Sequence, residues 1–150
     1  LELEMSSFYV EFEIGPEEGL SRLSSVFEAL RAAKSSGDWR DDDYWLDFFD
    51  SEARTRFWWP STAERDEWLK RWLSTPVPQR FHDPSLVTPW DFGSMIDAFR
   101  NGDYELLSCE RVSERIGQLS FDPLGWPYGG TECMRALIEA FGHRVTNEVI

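Results

Sequence analysis

Three stretches of this chain hold residues whose types and spacing are suited to chemistry. Asp41-Asp42-Asp43 is a run of adjacent carboxylates that leads into an aromatic segment. Asp122-Pro123-Leu124-Gly125-Trp126-Pro127-Tyr128-Gly129-Gly130-Thr131 is the most distinctive sequence in the chain, and His82-Asp83 sets an imidazole beside a carboxylate. The aspartate run has the charge to attract calcium or magnesium but lacks the spaced ligands and the glycine of a calcium loop, so it reads as a solvated entrance to a strand. Gly129 and Gly130 stand just before a helix, where glycines allow close backbone approach and can set N–H groups around an anion. Trp126 and Tyr128 would then line a small pocket with Asp122 and His82. No phosphate-loop pattern is present, and Glu132 already complements the helix end, which favours a structural loop joining a strand to a helix. His82-Asp83 would form an acid/base pair, yet no serine or cysteine lies in a nucleophile motif, so no catalytic residue is assigned. No cofactor or metal is expected. His143 follows the last helix, where a cationic imidazole would interact favourably with the C-terminal end. Cys109 and Cys133 lack metal-type spacing and read as buried thiols.

Composition narrows the partners. The chain has 150 residues, 41% of them hydrophobic and 15% aromatic, enough for one substantial core. Its 28 acids against 15 Lys and Arg give a net charge of −13, which disfavours nucleic acid and anionic membrane and favours a basic protein. The charge is uneven: residues 1–53 hold 14 acids and 4 bases, net −10, and residues 54–150 hold 14 acids and 11 bases, net −3. No apolar run approaches the ~20 residues of a membrane span, and no signal-peptide pattern opens the chain, so a cytoplasmic protein is expected. Leu1 to Glu4 precede Met5 and read as a cloning remnant, which leaves 5–150 as a single domain.

The elements that must position these residues follow from periodicity. Phe8, Val10, Phe12 and Ile14 alternate with Tyr9, Glu11 and Glu13 as in a half-buried strand. Pro16-Glu17-Glu18 opens a helix with Leu20, Leu23, Phe27 and Leu30 on one stripe, and Gly37 ends it. Asp43 to Phe49 and Arg54 to Trp59 read as a hairpin closed by Asp50-Ser51-Glu52-Ala53. Ser61-Thr62-Ala63-Glu64 is a capping box for a helix carrying Trp68, Leu69, Trp72 and Leu73, and the prolines at 76, 78, 84 and 89 mark an irregular connection. A helix with Phe92, Met95, Ile96 and Phe99 follows, stopped by Asn101-Gly102. Then come a hairpin of Tyr104–Arg111 with Ile116–Phe121, a helix with Met134, Leu137 and Ile138, and a last strand from Arg144. The fold class is α+β, an antiparallel sheet with helices packed on one face, and the order suggests a pseudo-repeat of a helix-hairpin-helix (αββα) unit.

In the expected first hairpin Trp45 faces Trp58 and Asp47 faces Arg56 on the side away from the core. Aromatics and arginine beside acids make a protein-docking face, so Trp45, Asp47, Arg56 and Trp58 are the expected contacts, with Asp41, Asp42 and Asp43 supplying long-range attraction. In small size, acidity and tryptophan content the chain is similar to bacterial toxin-neutralising immunity proteins, which implies a non-enzymatic inhibitor-like module for a basic partner. No motif assigns a family. The competing expectation is a small-molecule site or enzyme at the Asp122–Thr131 loop. A homo-oligomer through the hairpin edge or exposed face is the third.

Overall fold

The computed structural model describes residues 8–150; Leu1 to Glu4 and Met5, read above as a remnant and a start, lie outside the described residues. Four strands, β1 (Tyr9–Glu13), β2 (Tyr104–Arg111), β3 (Ile116–Pro123) and β4 (Arg144–Val149), form one sheet in the order β2-β3-β1-β4. Every neighbouring pair is antiparallel. Helix α1 (Glu17–Ser36) leaves β1 and the chain returns in β2, with β3 between them; α6 (Glu132–Ala140) joins β3 to β4, with β1 between them. This is a pair of interlocked split βαβ units, the connectivity of the ferredoxin-like arrangement.

Alternation decides which side of the sheet is covered. Val10, Phe12, Leu119 and Phe121 are fully buried beneath α1 and α6, whereas Tyr9, Glu11 and Glu13 on the opposite side are half-buried. The α+β class with helices on one sheet face is what periodicity led one to expect.

Between α1 and β2, residues 37–103 carry α2 (Asp42–Leu46), α3 (Ser51–Arg54), α4 (Thr62–Ser74) and α5 (Phe92–Asn101). Here the expected hairpin is absent. Asp41 and Asp50 each cap a helix start, accepting hydrogen bonds from the Tyr44 N–H at 3.1 Å and the Ala53 N–H at 2.9 Å. Trp45, Phe49, Ala53 and Phe57, four residues apart in sequence, are all buried. The high β propensity of the aromatics suggested strands, but capping chemistry and a four-residue apolar repeat win locally. With no hairpin there, the αββα repeat is not present either, since only the second half places two strands between its helices.

One core joins the sheet and this segment. Phe49 stacks on Phe141 at 4.8 Å between ring centroids and meets Phe92 edge-on at 5.1 Å, tying α2–α3 to α5 and the end of α6. Helix α4 stands apart: its Ser61 capping box forms as expected, yet none of its residues is buried. It is held through half-buried Trp68 and Trp72, which contact Trp58 and Phe81, and through the bond from Trp68 Nε1 to the Leu86 carbonyl at 2.9 Å. The proline-rich connection contains two short 3-10 turns, Val77–Gln79 and Pro84–Leu86.

Candidate functional site

The first turn of α2 and helix α5 bring five carboxylates together. Asp41 caps α2, Asp42 and Asp43 form its first turn, Asp91 caps α5, and Asp97 lies further along α5. All five are exposed. Asp42 reaches across to the start of α5, where its Oδ2 lies 3.0 Å from the position a Cβ on Gly93 would occupy. The pKa of Asp42 is raised by partial desolvation there and by the like charges of Asp97, Asp91, Asp41 and Asp43. A shallow cavity of about 490 Å³ opens between the two elements, lined by Trp39, Asp41, Asp42, Asp43, Asp97 and Arg100 among others. Arg40, also on this rim, is drawn aside over the Tyr44 ring, 4.7 Å from its centroid.

Such an arrangement is an open negative surface that a cationic side chain would relieve. It is not organised for chelation: among the described residues no three His, Cys, Asp or Glu side chains converge to hold a metal ion. Asp41 and Asp91 are committed to backbone N–H groups, as caps must be. Among the described residues Asp42, Asp43 and Asp97 accept no such backbone bond and remain exposed, the condition for recruiting an approaching charge.

The other expected contacts do not form one face. Trp45 is 1% exposed and donates from Nε1 to the Arg40 carbonyl at 3.2 Å, so it belongs to the core. Arg56 donates to the Glu139 and Ala140 carbonyls at 3.3 and 2.8 Å, closing the C-terminal end of α6. Trp58 is half-buried against Trp68, and its N–H bonds to the Trp90 carbonyl at 2.8 Å. Asp47 remains exposed at the end of α2. In place of cross-strand partners, helix geometry sends each of these side chains a different way. Asp91 and Asp97 were not singled out, although Asp91 was legible as a helix cap; that α5 lies beside α2 is a tertiary fact.

The Asp122–Thr131 loop is a packed corner. The Asp103 N–H donates to the Tyr128 carbonyl and the Leu124 N–H to the Asp103 carbonyl, both at 2.9 Å. Tyr128 is buried, and Gly129 and Gly130 adopt φ of 110° and 82°, left-handed conformations that side chains resist. Trp126, exposed, lies edge-on to Tyr128 at 4.9 Å, and Asp122 sits exposed on β3 opposite Glu105. His82 is not brought here, because its stretch packs on α4 through Phe81 and Trp72. Nor does Asp83 pair with it: the Asp83 carboxylate accepts from the backbone and hydroxyl of Ser85, which hold its pKa low. A second cavity, about 710 Å³, adjoins the loop through Leu124 and has Arg31, Lys34 and Arg100 together with Glu28 and Glu105 in its lining, beside Trp39 and Tyr104.

Cys109 and Cys133 are free and buried, and burial pushes their thiols up to about 12 and about 11. His143 departs from expectation. It is buried, desolvation lowers its pKa, and Nδ1 accepts a hydrogen bond from the Gly15 N–H, so the ring is neutral rather than a cation at a helix end. Comparison with protein-family models, with curated proteins and with solved structures finds no match to this chain.

Proposed function

We propose that this protein is a non-enzymatic binding module of the inhibitor or immunity kind, which docks a basic protein partner at the acidic cleft between α2 and α5. The observation that supports it is the gathering of Asp41, Asp42, Asp43, Asp91 and Asp97 between α2 and α5, where partial desolvation first, and then the like charges around it, raise the pKa of Asp42. Like charges held this close cost stability in the free protein, and a partner's lysine or arginine recovers that cost on binding. Half-buried Trp39, on the cleft wall, offers an aromatic surface beside the charge, the pairing common at energetic centres of interfaces.

The test uses a synthetic Lys/Arg-rich peptide, followed by amide chemical shifts, together with partners captured from lysate. Binding is expected to perturb Gly93 and the first turns of α2 and α5, to weaken with salt, and to fall about tenfold or more in an Asp42→Asn/Asp43→Asn/Asp97→Asn variant. Captured proteins should be lost with the same variant. Shifts spread over the whole acidic surface and unchanged by the substitutions would sink the proposal.

A small-molecule site is the second reading, favoured by the cavity of about 710 Å³, a size typical of ligand pockets. Arg31 is paired with Glu28 at 3.4 Å and Glu105 also lines the cavity, which leaves Lys34 and Arg100 to meet an anionic ligand with an apolar part resting on Trp39 and Leu124. Lys34 already donates to the Phe99 and Gly102 carbonyls, both at 2.9 Å, so Arg100 carries the recognition in this reading. An Arg100→Gln variant that binds small aromatic carboxylates as the native protein does would exclude it.

A further inference from the structure

Helix α4 is an amphipathic helix that leaves much of its apolar surface in water. Leu69 and Leu73, one turn apart, are 45% and 64% exposed, and Val77 and Phe81 just beyond are 62% and 81% exposed. A helix of 13 residues is marginal in water without packing on its apolar face, and Trp68 and Trp72 already occupy the side turned toward Trp58 and Phe81.

Charge selects the occupant of the outer side. Residues 59–90 hold four acids, Glu64, Asp66, Glu67 and Asp83, and four bases, Arg65, Lys70, Arg71 and Arg80, so the net charge of −13 lies entirely outside this segment. A strongly basic partner is drawn elsewhere, whereas two copies of this chain meet here without the repulsion that opposes contact over the rest of the surface. The outer side is also self-complementary. At 100° per residue Asp66 and Lys70 fall on one flank of the Leu69–Leu73 stripe and Arg65 and Trp72 on the other. Among the described residues, Asp66, Lys70 and Arg65 form no ion pair within the chain.

We propose that two copies of this protein associate through α4, antiparallel about a two-fold axis. Leu69 packs on Leu69 of the second copy, and each Asp66 meets the other copy's Lys70. A two-fold axis makes the Asp66–Lys70 contact twice, on either side of the single Leu69–Leu69 contact. The contact is small beside the ~800 Å² per partner of a stable interface, so the association is weak and concentration-dependent. It is independent of the acidic cleft between α2 and α5.

Sedimentation equilibrium over a wide concentration range reads the result. The native chain is expected to rise from 17.5 kDa toward twice that mass. Leu69→Glu/Leu73→Glu, both at exposed positions and checked by circular dichroism, should stay monomeric. Asp66→Lys should weaken association, and Asp66→Lys combined with Lys70→Asp should restore it. A native chain that remains monomeric throughout, or a dimer indifferent to the leucine substitutions, overturns the proposal; a double swap that fails to restore association overturns the antiparallel geometry.

Discussion

The imidazole Nδ1 of His143 accepts a hydrogen bond from the Gly15 N–H at 2.9 Å, joining the β1–α1 corner to the α6–β4 corner across 128 residues of sequence. Only the neutral ring can do this, since a protonated Nδ1 would turn a donor toward a donor. The ring rests against Phe12 at 5.3 Å, and a backbone hydrogen bond with Gly19 and, less, the charge of Glu17 oppose the effect of burial by favouring the cation.

Stability should therefore fall on mild acidification. The folded pKa of His143 is depressed below its unfolded value of about 6.5. The unfolded chain binds the proton first, so the contribution of the neutral ring is complete above about pH 6.5 and is lost as pH drops through the folded pKa. Urea denaturation at steps from neutral to acid pH should show this slope, and His143→Leu should flatten it while costing about 0.5–1.5 kcal/mol for the lost Gly15 hydrogen bond. An equal slope in the variant would assign the acid sensitivity to the carboxylates instead.

The same corner admits no extra carbon. A Cβ on Gly19 would lie 2.2 Å from the Phe141 carbonyl oxygen, and one on Gly15 the same distance from that of Gly142. Those neighbours are backbone and cannot rotate aside, so Gly19→Ala is expected to lower the melting temperature by the equivalent of about 1–3 kcal/mol. Calorimetry would measure it.

Arg56→Met should destabilise the fold by about 1–2 kcal/mol, because the guanidinium bonds the last carbonyls of α6. Binding of a basic peptide, measured where the variant is folded, should not weaken. A loss of affinity with unchanged stability would return Arg56 to the docking surface.

Asp42→Asn is expected to act in opposite directions on two measurements. With its pKa raised by desolvation and four neighbouring aspartates, ionised Asp42 opposes folding at neutral pH, and the penalty lifts as pH falls through the folded value. The variant should melt higher than the native protein at pH 7 and bind a basic peptide less tightly. Thermal denaturation and titration calorimetry check the pair.

Trp45→Ala would damage the core rather than a surface. With 1% of its area exposed, its loss should cost about 3–5 kcal/mol. Any binding defect in that variant would follow unfolding, visible as a shifted denaturation midpoint.

Sequence by itself determined the outer frame. Alternation in Phe8–Ile14 and in the second hairpin, the stripes of α1, α5 and α6, the Ser61–Glu64 capping box and the stop at Gly37 are local patterns, written in neighbours two to four residues apart, and each appears where its residues place it. Residues 43–59 were misread because two local signals conflict there. Aromatic residues favour strands, while Asp41 and Asp50 offer helix caps, and the burial of Trp45, Phe49, Ala53 and Phe57 against Phe92 and Phe141 accompanies the helical outcome. The candidate site was legible by half: the aspartate run stood out, but its meeting with Asp91 and Asp97 requires α5 beside α2. Likewise His143 looked like a cation at a helix end until the fold set Gly15 against it. Long-range contacts decide such matters because charge, burial and proton affinity depend on what lies within a few ångströms, and a sequence specifies directly only what is adjacent along the chain.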